Sequence, residues 1–210
     1  MLLVSGSTRT VKRLAPHYTK SLGILVSPAA GNSITAVLAT GLRWAADNGA
    51  FSGFDSAAFR RMLGRIRGRP GLLWVACPDR VADAEATRDL FAAWQPEIAG
   101  HGLPVAFVAQ DGVTHSGVPW AEIDCLFIGG TDDFKLSFDA ASLMTEAKCR
   151  DLWVHVGRVN SLARMTAVFD RGADSIDGGQ FSMFGETYIE DYLKAIGQLK
   201  QQPVLFPEST

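Results

Sequence analysis

Short, continuous apolar runs alternate with amphipathic stretches along nearly the whole chain, and this alternation restricts the fold more than any other feature. The runs are Leu2 to Val4, Ile24 to Val26, Leu72 to Ala76, Val105 to Ala109, Leu126 to Ile128 and Trp153 to Val156, with weaker ones at Trp44 to Ala46 and Asp174 to Ile176. The stronger ones are apolar at every position, as strands buried on both faces of a parallel sheet must be. Between them, Leu90, Phe91 and Trp94 share one helical face, and so do Leu162, Met165 and Phe169. Near the end, Tyr188, Tyr192, Ile196 and Leu199 repeat at helical spacing. Strand and helix in turn define βα units. With about eight units in 210 residues, the expectation is a compact (β/α)8 TIM-type barrel forming a single domain over residues 1–200, with an extended tail over 201–210. The alternative, an open doubly wound sheet, calls for a Gly-rich turn after the first strand, but Gly6 is followed by Ser-Thr-Arg-Thr.

Composition narrows the class. At 47% hydrophobic and 20% charged residues the chain is too apolar for general disorder. The net charge of -2 conceals a gradient: ten basic residues face two acidic ones up to residue 71, and ten face twenty beyond it. An anionic partner on the basic side is permitted by this asymmetry. Cys77, Cys125 and Cys149 are widely and irregularly spaced, which supports neither a disulfide framework nor a zinc-binding subdomain. They read as reduced thiols near the core. No apolar run reaches the roughly 20 residues that span a bilayer, so a soluble, cytoplasmic protein without membrane contact is expected. No metal or cofactor is implied, and the oligomeric state is open.

Chemistry in a parallel barrel gathers where strands finish. Here Trp44 to Ala46 leads into Asp47-Asn48-Gly49-Ala50-Phe51, and Leu72 to Cys77 leads into Pro78-Asp79. Val105 to Ala109 leads into Gln110-Asp111-Gly112, and Leu126 to Ile128 into Gly129-Gly130. Trp153 to Val156 leads into Gly157-Arg158-Val159-Asn160, and Ala173 to Ile176 into Asp177-Gly178-Gly179. Any one such Asp or Gly is ordinary turn chemistry. Together they bring the carboxylates of Asp47, Asp79 and Asp177 and the amide of Gln110 to one rim, an acidic pocket.

These stations, in this order, resemble the tRNA-guanine transglycosylase superfamily, and its short phage-type branch that inserts 7-deazaguanine bases into DNA. Asp47 to Phe51 is similar to the family's D-S-G-G-F segment, and Gly172 to Asp177 to its G-V-D-x-F-D segment, with Val154 to Asn160 before it. The resemblance covers roughly Trp44 to Asp177 and departs at Ala50 and Ser52 and in lacking a Cys/His zinc site. It implies a DNA guanine transglycosylase, a glycosyltransferase of the pentosyl class, that exchanges guanine for a base such as 7-cyano-7-deazaguanine. Asp177 is then the nucleophile that forms a covalent glycosyl-enzyme, and Asp47 the general base. Asp79 reads the base edge, Gln110 and the Gly130 N–H meet its carbonyl oxygen, and Gly129, Phe51 and Asn48 complete the base site. The implied partners are DNA with a flipped-out or single-stranded guanine and the free 7-deazaguanine base. Arg60, Arg61, Arg65, Arg67 and Arg69, helped by Lys12, Arg13 and Arg158, would contact the nucleic-acid backbone. A tRNA substrate, or an inactive nucleic-acid-binding barrel, are the alternatives. A barrel enzyme for a small phosphorylated metabolite, using Gly178-Gly179, is a further one. His155, inside an apolar strand, reads as a core histidine, and Lys135 as a weak candidate for a phosphate contact.

Overall fold

The computed structural model describes residues 1–6, 8–28, 32–182 and 185–199; the expected tail over 201–210 lies outside them. Eight parallel strands close into one barrel in sequence order: β1 Leu2–Ser5, β2 Leu22–Val26, β3 Trp44–Ala46, β4 Leu72–Ala76, β5 Val105–Ala109, β6 Cys125–Ile128, β7 Trp153–Val156 and β8 Ser175–Asp177. Every apolar run read from the sequence overlaps a strand, the last one displaced by one residue, and the (β/α)8 architecture follows. Closure pairs Leu2 with Ile176 and Leu3 with Asp177, and the Ile176 N–H donates to the Met1 carbonyl at 2.9 Å.

Among the described residues eight α-helices surround the strands: α1 Arg9–Leu14, α2 Ile34–Leu38, α3 Ser56–Ile66, α4 Ala84–Gly100, α5 Asp132–Leu136, α6 Phe138–Cys149, α7 Leu162–Asp170 and α8 Glu186–Leu199. The first seven start on a local cap. Thr8, Ser33, Asp55, Asp83, Thr131, Ser137 and Ser161 each accept a backbone N–H of the following turn, worth about 1 kcal/mol per cap. The helices bury one face against the outward strand residues. Phe59 of α3 and Trp94 of α4 pack edge to face at 5.5 Å, and Phe54 joins both. Leu162, expected on the buried face of α7, is instead exposed beside its cap.

Alternation along each strand separates two cores. Outward residues such as Val4, Ile24, Val105 and Ile176 pack under the helices. Inward residues Leu3, Leu25, Ala45, Trp74, Ala106, Cys125 and Phe127 fill the barrel. Two residues further along, the same inward direction reaches the mouth at Ser5, Ser27, Asp47, Val108, Gln110, Gly129, Gly157 and Asp177. The barrel is therefore plugged with apolar side chains below and polar at the strands' C-terminal end. Cys77 and Cys125 are buried thiols, as read from the sequence, whereas Cys149 is exposed. Among the described residues no helix is long and apolar enough to cross a membrane.

Candidate active site at the barrel mouth

The mouth is a cavity of about 490 Å³, lined among others by Asp47, Asn48, Phe51, Asp79, Gln110, Gly129, Gly130, Lys135, Arg158 and Asp177. That is the size of a small-molecule site. All eight residues assigned from the sequence to catalysis and base binding reach it, and so does Arg158. The other expected backbone contacts do not line it. Arg60 is engaged by Glu97 at 3.0 Å and lies over Trp94. Arg65, Arg67 and Arg69 lie at or beyond the last turn of α3, where the chain enters β4, so the topology puts them at the end of the barrel away from the mouth. Lys12 and Arg13 belong to α1, and Arg13 is paired with Glu186.

One side of the cavity is a locked polar cluster. The Asn48 amide donates to the Cys77 carbonyl at 2.6 Å and to Asp79 Oδ1 at 2.7 Å, while its own oxygen accepts the Ala50 N–H. Gln110 Nε2 donates to Asp79 Oδ2 at 2.7 Å, and Gln110 Oε1 accepts the Ala82 N–H. Asp79 is thus held by two side-chain amides, and burial nevertheless raises its pKa above the ordinary value. Gly129 is required beside Gln110: a Cβ there would stand 2.7 Å from Gln110 Nε2.

Asp47 is the most perturbed carboxyl. Burial first, then the charges of Asp177 and Asp79, push it up to about 7, against the Gly49 and Asn48 backbone N–H groups that favour its ionised form. A carboxyl poised there accepts and returns a proton near neutrality. Asp177 ends β8 with both oxygens engaged. The Arg158 N–H donates to Oδ1 at 2.8 Å, and His155 Nε2 lies 2.9 Å from Oδ2. His155 is fully buried and burial lowers its pKa, with the Asp177 hydrogen bond opposing. The core-histidine reading holds for its burial but missed its link to Asp177.

Two cations complete the rim. Lys135 is only 6% exposed, and desolvation lowers its pKa, with Asp132 opposing. Asp132 sits 3.6 Å from Lys135 Nζ but 2.6 Å from Arg164 Nη1, so the lysine is weakly neutralised. Arg158 adopts a left-handed backbone, φ 58°, that delivers its N–H to Asp177. Its guanidinium lies 3.9 Å from the centroid of the Phe51 ring, which is 66% exposed at the rim. Phe51 therefore carries a cation in this structure, and Arg158 has no ion pair among those of the described residues. Among the described residues no cluster of His, Cys, Asp and Glu has the makings of a metal site.

Fold and mouth together define a (β/α)8 barrel with an acid–base cavity at the strand ends. No family model and no curated protein matches the chain. Solved structures do match. One described as native KDPGal is 12% identical, with a TM-score of 0.57 over 96% of this chain and 95% of that one. A protein assigned as a fructose-1,6-bisphosphate aldolase of Coccidioides immitis is 15% identical, with a TM-score of 0.58 over 95% and 86%. An HpcH/HpaI aldolase of Desulfitobacterium hafniense is 13% identical, with a TM-score of 0.48 over 98% and 95%. At these identities the likeness shows the fold. Neither of the first two is a tRNA-guanine transglycosylase, and the assignment to that superfamily is overturned together with DNA guanine transglycosylase activity, while neither of its alternatives is supported. The reason is physical: Asp and Gly at successive strand ends are what any barrel of this kind places there, so their order follows from the fold without the family.

Proposed function

We propose that the chain is an aldolase-type lyase, acting on a small substrate that carries a carbonyl and an anionic group, with Lys135 as the reacting amine and Asp47 as the proton carrier. The observation that carries this reading is the sharing of one cavity by a buried, weakly neutralised lysine and a carboxyl poised near neutrality. A desolvated amine loses its proton more readily and becomes nucleophilic. Lys135 Nζ adds to the carbonyl carbon, and the carbonyl oxygen leaves as water after taking up protons, giving an iminium. Asp47 as carboxylate takes the proton of the β-hydroxyl, the bond between the α and β carbons breaks, and its electron pair enters the iminium to form an enamine. The aldehyde fragment leaves. Protonation of the α carbon by Asp47 and hydrolysis of the iminium release the second carbonyl product and restore the amine. Arg158, stacked on Phe51 and without an ion pair among the described residues, supplies the charge for the substrate's anionic group. The shared fold with a protein assigned as an aldolase supports the reading.

The test is cleavage of a panel of β-hydroxy carbonyl compounds, 2-oxo acids and ketose phosphates among them, with the carbonyl product measured. Release by the wild-type protein that Lys135→Met abolishes is expected. No product from any member, or product undiminished by Lys135→Met, would overturn it.

A further inference from the structure

Behind Asp177 lies a chain of polar groups within the apolar barrel. Trp153 Nε1 donates to Ser175 Oγ at 2.8 Å. Ser175 Oγ lies 2.8 Å from His155 Nδ1, and His155 Nε2 lies 2.9 Å from Asp177 Oδ2. Ser175 and His155 are fully buried. The β7–β8 register sets His155 directly beside Ser175, and the pleat then brings Asp177 to the same inward face. The His155 ring is held between Trp74, centroids 4.7 Å apart, and Phe127, 4.5 Å apart.

Proton bookkeeping selects one arrangement. An indole N–H only donates, so Ser175 accepts from Trp153 and keeps one hydrogen of its own. If that hydrogen goes to His155 Nδ1, the neutral ring carries its proton on Nε2 and donates it to Asp177. In the opposite tautomer the serine hydrogen finds no acceptor, and the Nε2 lone pair faces a carboxylate oxygen. We infer that Trp153 and Ser175 fix the tautomer of His155, and that His155 is a positioning residue which, with the Arg158 N–H, holds both oxygens of Asp177 in one orientation at the cavity floor. The inference rests on the reading that the mouth is the reaction site. It adds that Asp177, whose charge helps raise the pKa of the proton carrier Asp47, is held rigid from below, so that its partners act on turnover through Asp47.

Nitrogen-15 NMR of the imidazole tests the tautomer without any substrate. A neutral ring protonated at Nε2 is expected in the wild type, and a mixture of tautomers in Ser175→Ala. Turnover then tests the consequence: Ser175→Ala and His155→Leu lower kcat by about 10–100-fold with KM little changed. His155→Gln, which keeps an N–H directed at Asp177, recovers most of the loss even where Ser175→Ala folds poorly. A ring protonated at Nδ1 in the wild type overturns the inference, as does a His155→Gln variant no better than His155→Leu. If the expected tautomer is found in a protein that cleaves nothing on the panel, the lyase reading fails and the positioning of Asp177 stands.

Discussion

Replacing Asp47 by Asn should stabilise the protein by an amount that grows with pH. The carboxyl moves from its ordinary value of 3.8 to about 7 on folding. Across that interval the folded chain binds more protons at this site than the unfolded one, so stability falls as pH rises. The penalty is absent below about pH 4, where both states are protonated, and complete above about pH 7. Roughly three pK units correspond to ~4 kcal/mol, and water entering the open mouth lowers this to ~2–4 kcal/mol. Asn keeps an oxygen for the Gly49 N–H, which meets Asp47 Oδ2 at 3.3 Å, so little else changes. Urea unfolding of both proteins at about pH 4 and about pH 9 isolates the term, since every other titrating group is common to the two. The difference should be near zero at the lower pH and reach ~2–4 kcal/mol in favour of the variant at the higher one, while lyase turnover is lost. A difference independent of pH, or one favouring the wild type at high pH, would refute the placement of Asp47.

Three further outcomes follow from the geometry. Trp94→Ala removes a buried ring from the Phe54–Phe59–Trp94 cluster and should cost ~3–5 kcal/mol in unfolding experiments without altering turnover per folded molecule. Gly157→Ala forces a methyl within 2.6 Å of the Phe127 ring; unfolding should show a loss of ~1–3 kcal/mol, and kcat should fall because that ring also holds His155. Arg158→Gly relieves a left-handed backbone at φ 58°, so stability should hold or rise by ~1 kcal/mol. Its KM for an anionic substrate should nevertheless rise about 10-fold or more, as the charge on Phe51 is gone.

The barrel was legible because parallel strands between helices and a packed interior leave no polar face, so each surfaces in the sequence as an unbroken apolar run. The sequence places the last strand one residue early, at Asp174 to Ile176. It runs Ser175–Asp177, which makes Asp177 an inward residue of the strand itself. Asp47, Asp79, Gln110 and Asp177 were found because strand ends converge on the mouth. The burial of Lys135 is not legible, because the residue comes from α5, past the turn after β6, and its burial depends on packing that spacing does not encode. The contact of Ser175 with His155 is not legible either, since it arises from the register of β7 on β8. A signal was present, for each stands two residues before a mouth position, Gly157 and Asp177. The family resemblance misled because its stations were turn and rim residues, which the architecture itself supplies.

Hydride trapping tests the central claim most directly. Wild-type protein is incubated with a small 2-oxo acid or ketose phosphate and reduced with borohydride, and the modified peptide is then sequenced by mass spectrometry. A reduced adduct on Lys135, absent from Lys135→Met, is the predicted result. An adduct spread over the surface lysines with Lys135 unmodified, or no adduct with any carbonyl compound, would contradict the account.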